Sequence, residues 1–224
     1  MSEHLRRGVI RDINGPIVTI DMPGIRNGEQ VKLGELGLFG EVISLQGEHA
    51  VVQSYESTEG VRPGGPAVAL GRPLSVELGP GLLGGIFDGV QRPLKKIALE
   101  SGDYIRRGLD LPALDRSRSW GLEPNPDLEP GTQIGAGTVL GTVQETETIE
   151  HRILVPPGVS GELEEIAPSG EYDLESCIAR VRDAQRHSRR LYLYHRWPVR
   201  MPRPSLKRDD GISPLITGQR IIDT

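Results

Sequence analysis

The residues whose types and spacing could do chemistry gather first around a run of glycines. Gly79-Pro80-Gly81-Leu82-Leu83-Gly84 satisfies G-x-G-x-x-G behind a candidate strand, Leu74–Leu78. A dinucleotide-binding loop uses this spacing to bring backbone amides against a pyrophosphate, and such a loop opens a helix whose N-terminus faces the phosphates. Here Gly85, Gly89 and Pro93 interrupt any such helix. The segment therefore reads as a tight loop where backbone approaches backbone, with a dinucleotide site as the weaker alternative. Phosphate cradling by a P-loop needs G-x-x-x-x-G-K-[ST], and no lysine in this chain follows a glycine. Lys95 and Lys96 follow Pro93-Leu94 and read as surface charges.

Elsewhere the chemical constellations are thin. His4, His49, His151, His187 and His195 show no metal-ligand spacing and read as surface or strand-end histidines. With Cys177 the only cysteine, neither a closed zinc site nor an internal disulfide is expected. Glu145 with Glu147, and Glu164 with Glu165, have the makings of an acid and base pair, but acidic residues near turns are usually solvated. No nucleophile stands beside a base. The sequence thus assigns no catalytic, cofactor-binding or metal-binding residue.

The elements that must position these residues are mostly strands. Val9–Ile13, Ile17–Met22, Gln30–Leu33, Leu38–Leu45, Ala50–Ser54 and Ala67–Leu70 are short alternating or apolar runs. Turn signals such as Asn14-Gly15-Pro16, Gly47-Glu48 and Arg62-Pro63-Gly64-Gly65 separate them. Six such strands predict a small closed β-barrel over residues 1–72, because closure removes exposed sheet edges. Residues 73–110 form a connection. Leu111-Pro112 through Pro124-Asn125-Pro126 reads as extended linker, and Gly131–Val143, Ile149–Val155 and Gly161–Ile166 as strands of a second β unit spanning 111–190. Leu174, Cys177, Ile178 and Val181 fall at helical spacing, so a short helix over Asp173–Ala184 is expected, with Cys177 as a small core residue. Leu191–Val199 reads as a return strand.

Composition narrows the function. Glycine (29) and proline (18) are abundant, but apolar residues are spread between regular turn signals, which argues for a folded, mainly β chain. A net charge of −5 speaks against nucleic acid or anionic membranes as partners. No apolar stretch approaches the ~20 residues of a membrane span, and MSEHLRRGVI lacks a signal-peptide core, so a cytoplasmic protein is expected. Lipoyl and biotinyl carriers share the strand–turn–strand pattern of the second unit, yet no lysine lies between Leu111 and Arg190, which excludes a swinging arm there. From Arg180 to Arg208 stand ten Lys plus Arg against one acid, while Glu162–Glu175 holds six acids; pairing between these runs, or with an acidic partner, is the expectation.

Five stretches in order carry a resemblance: Asn14–Val18, Gly40–Ile43 with Tyr55–Gly64, Pro73–Leu94 with its GPGLLGGIFDGVQRPL, Tyr194–Arg200, and Pro214–Thr224. Together they resemble the N-terminal portion of the catalytic A subunit (alpha chain) of V/A-type rotary ATPases and ATP synthases. The resemblance implies a six-stranded barrel, an inserted bulge at 111–190, and in 191–224 a return strand with only the beginning of an α/β nucleotide-binding domain. It also implies alternation with B subunits in a hexameric ring, peripheral stalk subunits at the bulge and crown, and a soluble head peripheral to the membrane. MgATP or MgADP would bind the complete subunit, which couples ATP to proton or sodium transport. The P-loop and general-base glutamate are expected beyond Thr224, so a truncated product inactive alone is expected. A stand-alone structural or assembly protein of the same barrel and bulge is the alternative.

Overall fold

The computed structural model describes residues 5–102, 104–205, 216–219 and 221. Strands β1 (Arg7–Asn14), β2 (Ile17–Asp21), β3 (Glu29–Leu33), β4 (Leu38–Gln46), β5 (His49–Ser54) and β6 (Pro66–Pro73) close into an antiparallel barrel of order β1-β2-β5-β4-β3-β6. All six expected strands are present. Alternation explains them: Val18 and Ile20 in β2, and Ala50 and Val52 in β5, turn inward while their neighbours face outward. Ile10, Val31, Leu33, Leu38, Val42, Ala67 and Ala69 complete the core. The β4–β5 hairpin turns at Gly47, whose φ of +63° suits a residue without Cβ. One buried acid, Glu29, ties the barrel end together. It is 3% exposed and accepts both Arg6 Nη2–H contacts at 2.6–2.7 Å and the Gly71 N–H at 2.9 Å.

Strand β7 (Ser75–Leu78) leaves the barrel, and a loop leads to helix α1 (Leu94–Ser101). The remaining strands are β8 (Trp120–Pro124), β9 (Gln133–Ile134), β10 (Val139–Gln144), β11 (Glu150–Leu154), β12 (Gly161–Ile166), β13 (Gly170–Tyr172), β14 (Ala179–Arg182), β15 (Ser188–Leu191) and β16 (His195–Pro198). Two four-stranded sheets, β11-β10-β8-β13 and β15-β14-β12-β9, enclose one core that includes Trp120, Leu122, Leu140, Leu163, Val181 and Leu191. β16 returns to pair antiparallel with β7, Leu78 opposite His195 and Val76 opposite Trp197. The chain thus enters and leaves this second unit through a two-stranded neck.

Three expectations need correction. No helix covers Asp173–Ala184: the Asp173 carboxylate accepts the N–H groups of Glu175 and Ser176, at 2.9 and 2.6 Å, and folds the segment into a turn. Beyond it Ala179 and Val181 are buried while Arg180 and Arg182 face out, which is strand alternation between β12 and β15. Cys177 is half-buried in the turn, its Sγ–H donating to the Ala179 carbonyl at 3.3 Å. Second, the expected linker contains β8, paired on both sides, and the fully buried Leu114. Third, Leu191–Val199 is not one strand. Leu191 ends β15 and Leu193 sits in the bulge core, whereas β16 starts at His195, so the chain changes sheet between them. The lead-in Pro214–Thr224 lies largely outside the described residues.

Candidate functional site

The glycine loop of 79–84 is folded without a following helix, as its glycines and Pro93 predict. Its amides nevertheless converge on an anion. The Gly81 and Leu83 N–H groups both donate to Glu145 Oε1, at 2.7 and 3.1 Å. The other carboxylate oxygen, Oε2, accepts the His151 Nδ1–H at 2.9 Å. Glu145 stands just past β10 and His151 lies in β11, so one hairpin of the bulge supplies both partners. The Glu145 side chain is only 4% exposed. This corrects the expectation of a solvated acid, while Glu147 is exposed. Gly81 has φ +102°, and a Cβ there would stand 3.1 Å from Trp120 Cζ2, so the loop requires glycine at this point. A carboxylate of the chain itself fills the position a phosphate would take, with three donors satisfying a buried charge.

Charged groups also fasten the neck. Glu77, 8% exposed, accepts Arg116 Nη2–H at 2.6 Å and Arg196 Nη2–H at 3.2 Å, and Gln91 bonds the Glu77 N–H and C=O at 2.6 and 2.8 Å. Arg92 bridges Asp88 (2.7 Å) and Glu56 (2.6 Å), and Glu56 also accepts the Gly108 N–H at 2.9 Å. Burial pushes the Asp88 carboxyl up, but the Arg92 N–H and guanidinium and the Val90 N–H outweigh it and hold it below the usual carboxylate range. A cavity of about 290 Å³ opens beside these groups between barrel and neck.

The remaining candidates disperse. Glu164 accepts Ser188 and Arg182, each at 2.6 Å, and is held below its ordinary value by them, while Glu165 lies 3.4 Å from Arg180. The expected pairing of the acidic and basic runs therefore occurs across β12, β14 and β15. His49 donates to Asp21 at 2.5 Å, and His187 lies 3.6 Å from Asp183. His195 accepts Arg203 Nη1–H at 2.9 Å, and burial, with Arg203 and His151 nearby, pushes its imidazole down to about 4. His4 lies outside the described residues. Among the described residues no three His, Cys, Asp or Glu gather as metal ligands. No helix among them is long and apolar enough to cross a membrane. Sequence reasoning missed the Glu145 seat because its partners lie 62 and 64 residues away.

A closed barrel, followed by a β-sandwich inserted through a two-stranded neck, defines the class: a two-unit β module whose one glycine loop is locked by its own carboxylate. The β-barrel domain of the ATP synthase alpha/beta family matches residues 10–71, and the ATP synthase alpha/beta subunit barrel-sandwich domain matches residues 111–200. The V-type ATP synthase alpha chain of Nitrosococcus oceani is 56% identical over 217 residues, covering 97% of this chain and 37% of that relative. The A-type ATP synthase A subunit of Thermococcus kodakarensis is 50% identical over 218 residues, again 97% and 37%. That of Pyrococcus abyssi is 48% identical over 219 residues, 97% and 21%. This chain belongs to the ATP synthase alpha/beta family, and over 97% of its length it is similar to A subunits (alpha chains) of the V/A type. It spans little more than a third of the length of the first of these relatives.

Proposed function

We propose that this chain supplies the barrel and bulge of the catalytic A subunit of a V/A-type ATP synthase or ATPase. The complete subunit binds MgATP or MgADP and couples ATP synthesis or hydrolysis to proton or sodium transport. In this reading the barrel joins the crown of a hexameric ring alternating with B subunits. The bulge reaches peripheral stalk subunits, and the assembled head lies on the cytoplasmic side of the membrane. The observation that carries the reading is the match of both units, in order, to relatives named as ATP synthase subunits over 97% of the chain.

The chain's own chemistry supports a scaffolding share of that activity. Phosphoryl transfer needs amides and a lysine around the β and γ phosphates, and a hydroxyl on magnesium. The sequence has no P-loop lysine, and the convergent amides of the 79–84 glycine loop hold Glu145. Sizing a mixture of this chain with a cognate B subunit tests the reading. A complex is expected, and a strictly inert monomer would contradict it. A phosphate-release assay on the chain alone should read no MgATP hydrolysis, and turnover there would overturn the assignment of a scaffolding share.

A further inference from the structure

The bulge sheet β15-β14-β12-β9 ends on β15, so one side of that strand is a free edge. Where β14 turns into β15 the Asp183 N–H donates to the His187 carbonyl at 3.0 Å. Antiparallel pairing alternates from there, which points the N–H and C=O groups of Ser188 and Arg190 away from β14. Both residues are exposed. Among the described residues no further strand pairs with them. Beyond Leu191 the edge runs into a cavity of about 190 Å³ whose lining includes Pro156, Arg190, Tyr192 and Tyr194.

The charge along this edge has one sign. Five arginines and one acid, Asp183, stand between Ala179 and Leu191. Arg182 is held by Glu164, Arg180 lies 3.4 Å from Glu165, and Arg189 lies 3.7 Å from Asp183. Arg186 and Arg190 have no carboxylate within ion-pair distance among the described residues. Each also stands where the hairpin itself would favour another residue. Arg190 is directly opposite Arg180 on the outward face, a like-charge pair that opposes strand pairing. Arg186 has φ +64° and donates its N–H to the Asp183 carbonyl at 2.9 Å, the left-handed position of a three-residue loop that glycine fills with less strain. Charge on an edge strand keeps two copies from joining edge to edge, since β15 against β15 would set arginines against arginines. That protection accounts for Arg190 on the strand but not for Arg186 in the turn beyond it. An acidic strand meets no such repulsion.

We infer that β15 binds an extended acidic segment of a partner protein, which adds a strand to the sheet and sets carboxylates against Arg190 and Arg186. Its apolar side chain enters the tyrosine-lined cavity at the end of the edge. Backbone pairing supplies the hold and charge selects the partner. The inference concerns the bulge alone and does not rest on the ring-subunit reading. The test is fluorescence anisotropy of a fluorescein-labelled nonapeptide of alternating Glu and Val, titrated with the 224-residue chain at fixed ionic strength. Saturable binding is expected. Arg190→Gln should weaken it about threefold, and Arg186→Gly with Arg190→Gln about tenfold, the range of one and two exposed ion pairs. Arg186→Gly alone should weaken binding without lowering the thermal midpoint, because glycine relieves the turn, so a loss of binding there is not a loss of fold. The same peptide with proline for valine keeps its charge but cannot join a ladder, and should not bind. Equal binding of the proline peptide, or of both arginine variants, would overturn the inference, as would no binding at all. Tighter binding of a labelled oligothymidylate would assign the edge to nucleic acid and overturn it too. Each of these failures leaves the expected complex with a B subunit untouched.

Discussion

Between Val18 and Val52 the barrel turns alternate side chains onto an apolar core, whereas the stretch from Glu77 to Gly108 is fastened to its surroundings by buried or half-buried charged groups. Each barrel strand is legible from its own alternating run, and three of the six pairings, β1–β2, β3–β4 and β4–β5, join consecutive strands, while β2–β5, β1–β6 and β3–β6 close the barrel. The connection needs partners from three separate parts of the chain: Glu56 from the barrel, Glu145 and His151 from the bulge, and Arg196 from the return strand. Apolar alternation tolerates exchange of one aliphatic residue for another. A buried ion pair does not, because losing one partner strands the other charge.

The largest effect should come from the connection. Arg92→Ala leaves Glu56 and Asp88 facing each other without their cation, and is expected to cost about 3–5 kcal/mol of stability in a denaturant titration. A loss below about 1 kcal/mol, the range of an exposed pair, would show that water replaces the guanidinium and that the contrast with the barrel is false.

Next come the two cores, which share no residue. Leu33→Ala in the barrel and Leu163→Ala in the bulge should each cost about 2–5 kcal/mol. If barrel and bulge are separate cooperative units, each substitution lowers a different thermal transition, and a fragment of residues 111–194 retains a β-rich circular dichroism spectrum. A single transition displaced equally by both would merge the units.

A smaller effect depends on pH. The His195 imidazole titrates near 4 in the fold against 6.5 when free, so the unfolded chain takes up its proton first as pH falls. Its contribution is fully present above about pH 6.5 and is lost as pH drops toward 4. The stability difference between wild type and His195→Asn should therefore shrink across that window. The expected change is on the order of 1–2 kcal/mol once screening at a half-buried site is counted. A difference independent of pH would show that His195 does not couple protonation to folding.

The same contrast explains what the sequence makes legible. The six barrel strands follow from period-two runs between turn signals, and the absence of a nucleotide helix follows from Gly85, Gly89 and Pro93. Strand β14 is hidden because Leu174, Ile178 and Val181 mimic helical spacing while Asp173 folds the chain into a turn. Strand β8 is hidden among the prolines around it. The Glu145 seat has a partial signal, glycines shaped for an anion with no helix to serve one. Nothing in spacing says that the anion belongs to the chain itself.

Glu145 holds the glycine loop against the bulge, and hydrogen exchange at the Gly81 and Leu83 amides, in wild type and Glu145→Gln, tests this most directly. Glutamine keeps an acceptor but loses the charge, so the global cost should be only ~1 kcal/mol. The two amides are expected to be protected in wild type and to exchange markedly faster in Glu145→Gln, while barrel amides such as Val18 and Val52 are unchanged. Equal protection of Gly81 and Leu83 in both proteins would contradict a loop held by its own carboxylate.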